Sequence, residues 1–507
     1  MNELHFPFIE LAVVIPLVGS ALVARVRDPQ RALRCSVALT GLTFLAAVAA
    51  WLDYGWLQSA LKSGEYVLEA HDRWHLMQRL TNRELFTIDQ LSAPLLPLGA
   101  LLYFLTLIAT LRTKLNRVSF TSTLASEAVL LATFATNVSW LIIVLLIVGA
   151  APPYFELRAR GSNGRVYALH MLLFAVLLVA GWIGVQADQT AGRAPWVASI
   201  ALLAAMLIRG GVFPFHTWMI DLFQRASFGT ALLFVTPMVG AYGAIRLVLP
   251  YAPDAVLRSL GMVSLFTAVY AAGMAVVQRE ARRFFCYILL SHSALVFVGL
   301  EMVKPVGMTG ALCVWLSVGL SLGGFGLTLR ALEARRGRLL LVDYQGLYEH
   351  TPSLAVCFVL TGLASVGFPG TIGFIGAELL VDGAVQTYPS VGLAVVVAAA
   401  LNGIALVRAY FLLFTGTRYQ SSIALGIVLR ERLAMLTFMA LIFIGGFVPQ
   451  WGVLARYHAA EEVLEVHDRT SLEHDDDDDD DEHSDDDSDD DDHEHENDEW
   501  YLDYLDD

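Results

Sequence analysis

Residues 209–246 read RGGVFPFHTWMIDLFQRASFGTALLFVTPMVGAYGAIR, a long apolar stretch interrupted near its start by Gly210, Gly211 and Pro214. Residues 367–373, GFPGTIG, repeat this combination of glycine and proline inside a second apolar stretch. Proline removes a backbone N–H and breaks or kinks a helix. The freed backbone groups must be satisfied by protein or water, so broken spanning helices are typical of ion paths in transporters. We predict two broken helices, and the alternative is two kinks absorbed by packing.

The composition places both stretches in lipid. Hydrophobic residues make up 56% of the 507 positions and charged residues 16%, against roughly 25% charged residues in soluble domains. About fourteen runs of roughly 20 apolar residues, the length that spans the hydrocarbon core as a helix, occur between Phe8 and Val453. We therefore predict an all-α polytopic membrane protein with about fourteen transmembrane helices.

The charges are distributed unevenly along the chain. Residues 461–507 hold 27 Asp and Glu against one Arg, so residues 1–460 carry a net charge of +10 although the whole chain carries −16. The acidic segment predicts a disordered tail. Its alternative roles are capture of divalent cations and docking onto a basic partner.

The basic connections between the predicted helices all fall on one side of the membrane, which is the cytoplasm by the positive-inside rule. They include Arg158, Arg160 and Arg165 in one loop and Arg335, Arg336 and Arg338 in another. Both termini are then extracytoplasmic, and we expect the chain in the cell inner (plasma) membrane.

Ionisable residues inside spanning helices are candidates for function because each is costly without a partner or water. The predicted spans contain nine of them: Glu127, His170, Arg209, His216, Asp221, His292, Glu378, Asp382 and Arg408. The two interrupted stretches, with Pro214 in one and Pro369 and Gly370 in the other, suggest two inverted five-helix repeats. These would be helices 4–8 and 9–13, with helices 7 and 12 broken.

Segment 209–246 resembles the helix seven to eight signature of the antiporter-like membrane subunits of complex I and of Mrp-type antiporters, most closely subunit M. Further stretches agree with that family: Asp89 to Pro94, Gln278 to Leu300 with Arg282 and His292, Gly346-Leu347 with Pro352, and Ala364 to Gly370. Together they cover most of residues 85–416.

The resemblance implies a proton channel. In the family, a glutamate on helix five pairs with a lysine on helix seven, and further lysines or histidines lead to a charged residue on broken helix twelve. By position, Arg209 takes the place of the helix-seven lysine and Glu127 matches a helix-four glutamate. His216 and His292 are the expected relay histidines, and Glu378 is the helix-twelve acid.

Several expected charges are absent. Ile147 stands at the helix-five glutamate position, Met238 at the helix-eight lysine position and Val318 at the helix-eleven histidine position. Arginine at residue 209 cannot release its proton as a lysine can. Glu378 is displaced by one residue, which turns it about 100° around the helix axis. These departures indicate a weakened proton path.

Structural roles remain open for the same residues. Arg209 can pair with a carbonyl or with Glu127, His216 can satisfy the freed backbone of the break, and His292 can be a hydrogen-bonded core residue. Glu378 and Asp382, four residues apart, share one helical face that more readily meets water or a partner than lipid.

The resemblance divides the chain into four predicted regions. These are residues 1–120 with helices 1–3 and an extracytoplasmic loop, residues 121–416 as a proton-conducting antiporter-like core, residues 417–460 with the C-terminal helix, and residues 461–507 as the disordered Asp-rich tail.

Three functions are compatible with the sequence. The first is a proton- or cation-translocating subunit of a respiratory NADH:quinone oxidoreductase-like complex, in which this chain would be a diverged paralogue. Its partners would be other membrane subunits and monovalent cations or protons. The second is the membrane partner of a bicarbonate-uptake or cation/proton antiporter complex, and the third is a structural anchor without transport. The four cysteines lack C-x-x-C spacing, so we expect no metal, cofactor or redox centre on this chain. Nothing indicates nucleic-acid binding.

Overall fold

The computed structural model describes residues 3–59, 69–73, 82–111, 115, 118–190, 196–300, 302–416 and 426–478, and nearly all of them are helical. The helices up to the first break are α1 (Phe8–Val23), α2 (Pro29–Ser59), α3 (Leu95–Ile108), α4 (Phe120–Phe134), α5 (Ser139–Gly149), α6 (Ala151–Ala159), α7 (Arg165–Thr190) and α8 (Trp196–Gly210). Those between the breaks are α9 (Thr217–Arg225), α10 (Phe228–Val235), α11 (Val239–Leu247), α12 (Asp254–Val277), α13 (Ala281–Leu300), α14 (Pro305–Arg336) and α15 (Pro352–Ser365). After the second break come α16 (Ile372–Thr387), α17 (Pro389–Phe414), α18 (Leu429–Phe447) and α19 (Gln450–Asp478).

The chain is a multi-pass, all-α membrane protein. By length and composition, the described residues contain eight spans, or nine if the pair formed by α18 and residues 452–468, bent by 79°, is one span. Shorter apolar helices, among them α1, α3, α4, α8 and α15, are additional. The predicted number of fourteen therefore stays a prediction.

Both predicted helix breaks are confirmed. Helix α8 ends at Gly210 and α9 begins at Thr217, while α15 ends at Ser365 and α16 begins at Ile372. A third interruption was not predicted, because the sequence was interpreted as one helix over residues 229–249. The structure divides it at Thr236–Met238, where Met238 has φ 52°. Pro237 is the physical reason, since it lacks an N–H for the helical hydrogen bond.

Helix α14 lies at the centre of the bundle and packs closely against α16. Glycines make this approach possible, as small residues do between membrane helices. A Cβ added to Gly383 would lie 2.4 Å from the Cα of Gly307, and one added to Gly376 would lie 2.8 Å from the backbone nitrogen of Val314. The two backbones are therefore almost in contact.

A small three-stranded sheet joins the segment before α1 to the connection between α2 and α3. Strands β1 (Glu3–Leu4) and β2 (Ala70–Asp72) are parallel, and β3 (Thr87–Ile88) pairs with β2 in antiparallel orientation. The carboxylate of Asp72 accepts hydrogen bonds from the backbone N–H groups of Glu10 at 2.7 Å and Ile9 at 3.3 Å. It thereby satisfies free N–H groups in the first turn of α1.

The start of the predicted disordered tail at residue 461 is wrong, because α19 continues to Asp478. Arg456 donates to the backbone carbonyl of Leu91 at 3.2 Å and to that of Gln90, and His467 Nδ1 lies 2.8 Å from the carbonyl oxygen of Leu249. Four apolar residues between these two contacts are buried: Ala459, Ala460, Val463 and Leu464. The acidic composition of the tail concealed this apolar face. Residues 479–507 lie outside the described residues.

Candidate functional site

The first helix break is built around Gly211. Its φ of +73° is unfavourable for residues with a side chain, and an added Cβ would lie 2.5 Å from Cε of Met219. The carbonyl oxygen of Ile208, at the end of α8, accepts a hydrogen bond of 2.8 Å from the indole N–H of Trp218 on α9. A side chain from beyond the break thus satisfies a carbonyl near the end of α8.

Arg209 uses a second free carbonyl. Met238 donates its N–H to Val235, and so the carbonyl of Phe234 at the third interruption lacks its usual helical partner. The guanidinium of Arg209 is 5% exposed, donates from Nη2 to this carbonyl at 3.4 Å and lies 4.0 Å from the centre of the Phe234 ring. Its Nε has no hydrogen-bond partner among the residues that the structure describes. Of the two structural roles predicted for Arg209, pairing with a carbonyl is the one observed.

Arg209 also borders a cavity of about 60 Å³. That volume is sufficient for one or more water molecules. The polar residues that line it with Arg209 include Tyr103, Ser122, Ser126, Thr133, Glu156 and Thr230. The arrangement gives a fixed positive charge, a carboxylate and several hydroxyl groups access to one partly open cavity.

Glu156 was missed by the sequence analysis. Its Oε1 accepts hydrogen bonds from the backbone N–H of Ser227 at 2.8 Å and from Nε of Arg160 at 2.7 Å, and its Oε2 accepts one from the hydroxyl of Thr230. The sequence signal was present, because Glu156 follows the segment Pro152-Pro153-Tyr154 and lies just before the basic loop of Arg158 and Arg160. Glu156 was not chosen as a candidate because it lies next to the basic loop of Arg158 and Arg160 and not within the apolar residues of the preceding helix.

Glu127 and Arg209 are not brought together. Glu127 is fully buried on α4, and neither carboxyl oxygen has a hydrogen-bond partner among the described residues. An isolated carboxylate in such surroundings is strongly disfavoured, so the neutral acid is the expected form. Tyr103 lies within electrostatic range of both Glu127 and Arg209 and hydrogen-bonds to Ser126. Tyr103 is thus a neighbour that both residues share.

His216 lies in an aromatic pocket at the start of α9. The centre of its ring is 5.7 Å from that of Phe213, 5.5 Å from that of Tyr270 and 6.4 Å from that of Tyr287. Within the described part of the chain, its Nδ1 is buried without a hydrogen-bond partner. His170 Nε2 lies 3.3 Å from the hydroxyl of Thr217, the neighbour of His216. His216 therefore lies buried within the break, packed against aromatic rings.

His292 contacts the second break directly. Pro369 lacks an N–H, so the carbonyl of Ser365 has no helical donor four residues later. His292 Nε2 lies 2.6 Å from that oxygen, and its Nδ1 lies 2.8 Å from the carbonyl oxygen of Ile288. A neutral imidazole has one N–H and satisfies one carbonyl, whereas the imidazolium donates to both. The protonation state of His292 is thus coupled to the geometry of the break.

The second break also depends on glycine. Glu378, the acidic residue that follows this break, lies apart from the other candidate residues. Gly367 and Gly370 have φ of +83° and +84°. Glu378 on α16 is exposed, and Asp382, one turn further, accepts a 3.2 Å hydrogen bond from Gln386. The structure therefore brings Arg209, Glu156 and Tyr103 to one cavity and His292 to the second break, and it leaves Glu378 on the outer surface of the chain.

Two of the positions with missing charges are packed into the apolar core. Met238 and Val318 are 5% and 1% exposed, and Ile147 is partly buried against the same core. The residues of α5 that line the cavity beside Arg209 are Leu145, Leu146 and Gly149. No residue of α5 therefore supplies a charge to this cavity.

Comparisons with known proteins agree with this architecture. Residues 98–402 match the family model described as NADH:quinone oxidoreductase/Mrp antiporter, TM. F(420)H(2) dehydrogenase subunit M of Methanosarcina mazei is 30% identical over 218 residues, which is 42% of this chain and 43% of that protein. The chain thus spans less than half the length of this relative. NAD(P)H-quinone oxidoreductase chain 4 3 of Trichormus variabilis is 26% identical over 445 residues, 81% of each chain.

Two solved structures share the fold. A chain of respiratory complex I from Thermus thermophilus superposes with a TM-score of 0.77 at 22% identity, covering 90% of this chain and 99% of that one. A chain of the Mrp complex from Dietzia sp. gives 0.75 at 17% identity, covering 92% and 98%. Both are single chains of multisubunit membrane complexes.

Proposed function

The chain belongs to the NADH:quinone oxidoreductase/Mrp antiporter membrane-subunit family, and on that premise we propose that it is a proton-translocating subunit of a respiratory complex of the NADH:quinone oxidoreductase type. It carries no redox centre in this proposal. The electron-transfer reaction belongs to other subunits, and this chain supplies a path for protons through the membrane.

His292 is the observation that supports this proposal best. With a neutral ring, one of its two nitrogens faces a carbonyl oxygen without a proton between them. When that nitrogen is Nε2, the carbonyl of Ser365 is a buried acceptor left without this hydrogen bond, which costs about 1–3 kcal/mol. The imidazolium donates from both nitrogens, so protonation fixes the contact between α13 and the second break. A subunit that couples proton movement to a change of shape needs such a group.

The first half of the predicted path is modified rather than lost. Arg209 keeps its proton, so it acts as a fixed charge that biases neighbouring groups and does not itself carry protons. We propose that the conducting part is the predicted core, residues 121–416, and that the departures at Ile147 and Met238 mark a diverged paralogue.

Glu378 supports a multisubunit setting. An exposed carboxylate on a spanning helix is costly in lipid unless a partner or water meets it. A neighbouring membrane subunit that places a basic side chain against α16 would remove that cost. We also propose that the chain lies in the plasma membrane with the loop holding Arg158 and Arg160 in the cytoplasm and both termini outside. Accessibility of terminal epitope tags in intact cells tests this orientation.

Proton flux in vesicles containing the reconstituted complex tests the proposal. An internal pH-sensitive dye reports flux for the wild type and for Arg209→Ala, His292→Gln and Glu378→Gln. We expect at least a tenfold loss for His292→Gln and no loss for the control His350→Gln, which changes a histidine outside the spanning helices. Absence of flux in the wild type would favour a structural anchor. Wild-type rates in all three variants would show that the path is assigned to the wrong residues.

A cation/proton antiporter subunit is the second candidate, since the Mrp chain superposes nearly as well as the complex I chain. Replacing Na⁺ by choline in the same vesicles separates the two. Flux that requires Na⁺ supports the antiporter, and flux that does not supports the respiratory proton path.

A further inference from the structure

The cavity beside Arg209 has a carboxylate at a position other than the one expected on helix five. Resting on the function proposed above, we infer that Glu156 is the group that accepts protons from the cytoplasmic side and delivers them to this cavity, in place of the glutamate whose position holds Ile147. Glu156 lies nine residues further along, about 14 Å at helical rise, toward the loop of Arg158 and Arg160.

The surroundings of Glu156 allow its carboxyl group to gain and lose a proton without rearrangement. Oε1 is held by the N–H of Ser227 and by Arg160, two donors that stay in place in either state. Among the described residues, Oε2 accepts its hydrogen bond from the hydroxyl of Thr230, which in turn lies 2.8 Å from the hydroxyl of Ser227. A hydroxyl group can turn from donor to acceptor, so Thr230 can accept a hydrogen bond from the protonated carboxyl.

The proton step balances without any further reactant. A hydronium ion on the cytoplasmic side transfers its proton to the Glu156 carboxylate, leaving water and a neutral acid. The acid then passes that proton to a water molecule in the cavity and becomes a carboxylate again. One proton enters and one leaves, and no electrons move.

Arg209 adds a fixed positive charge to the cavity that receives the proton. Like charges repel, so this charge opposes the entry of a second positive charge into the cavity. Among the described residues, the basic side chains that contact Glu156 or line the cavity are Arg160 and Arg209.

A structural role for Glu156 predicts different behaviour. If the carboxylate only holds the first turn of α10, glutamine serves nearly as well, because its side-chain oxygen still accepts from the N–H of Ser227 and from Arg160 while its NH2 group donates to the hydroxyl of Thr230. A proton-carrying role does not survive this change, because the amide of glutamine does not titrate. Glu156→Asp keeps a titratable group and is the conservative variant.

The test measures proton flux per assembled complex in reconstituted vesicles. We expect Glu156→Gln to reduce flux at least tenfold, Glu156→Asp to retain at least a third, and the control Glu349→Gln, a glutamate that does not line the cavity, to match the wild type. Introducing Leu146→Glu into the Glu156→Gln variant returns a carboxylate to the cavity wall, and we expect it to restore part of the flux.

The outcomes separate this inference from the proposed function. If the wild type conducts protons and Glu156→Gln conducts them at the same rate, the role of Glu156 is overturned but the subunit is still a proton carrier. No flux in the wild type overturns the proposed function itself. If Glu156→Gln fails to assemble, Thr230→Val takes its place, because it removes the hydroxyl contact at Oε2 and keeps the side-chain volume. A threefold or larger loss supports the inference, and an unchanged rate overturns it.

Discussion

Replacing Asp89 by asparagine should strongly destabilise the fold. Asp89 Oδ2 accepts from Nη2 of Arg246, and Oδ1 accepts a 2.8 Å hydrogen bond from the N–H of Ser92. The two side chains of the ion pair are only 2% and 16% exposed. Asparagine keeps an acceptor for Ser92 but leaves the guanidinium buried without a counter-charge. Removing one partner of a buried pair costs about 3–5 kcal/mol.

A double-mutant cycle measures how much of that cost belongs to the pair. The free energy of unfolding is measured by titrating SDS into mixed micelles for Asp89→Asn, Arg246→Gln and the double variant. Because the double variant contains neither charge, we expect it to be less destabilised than the sum of the two single variants by about 2 kcal/mol or more. Asp382→Asn, which changes a less buried acid, should stay within about 0.5 kcal/mol of the wild type. Costs that add within about 0.5 kcal/mol would refute the reasoning.

Three further predictions concern contacts that hold the fold together outside the cavity. Burial raises the pKa of Asp72 to about 7. Between about pH 4 and pH 7 the folded state therefore holds a proton that the unfolded chain has released, and the stability of the fold falls as pH rises. Asp72→Asn should remove that slope in thermal unfolding measured across this range. Gly383→Ala forces α14 and α16 apart and should cost roughly 1–3 kcal/mol of unfolding free energy, whereas Gly273→Ala, with open space around it, should not destabilise. Arg456→Met frees two backbone carbonyls and should speed amide hydrogen exchange in residues 452–468 relative to α14.

The helix breaks could be predicted because glycine and proline act locally. Pro214 and Pro369 interrupt hydrogen bonding wherever they lie, and both predicted breaks occur. Pro237 carried the same signal and was overlooked because no second glycine or proline stood beside it. The partners of the freed carbonyls were not predictable, since Trp218, Arg209 and His292 reach them only through the tertiary fold.

The ion pair of Asp89 and Arg246 illustrates the same limit. Each residue lies in a stretch that resembles the family, yet 157 positions separate them, and nothing in either stretch indicates that they meet. Glu156 was missed for a different reason: position relative to a family pattern pointed to Ile147, while the structure shows that α5 presents Leu145, Leu146 and Gly149 to the cavity.

Two side chains bind carbonyls released near prolines, but their chemistry differs. Arg209, beside the first break, binds the carbonyl of Phe234 at the third interruption, and His292 binds that of Ser365 at the second break. A guanidinium stays charged throughout any cycle, so the contact of Arg209 persists whatever the proton does. An imidazole changes its hydrogen-bonding capacity with each proton. On the function proposed above, control over proton passage therefore belongs to the second break, and Arg209 holds a constant charge beside the cavity that Glu156 supplies.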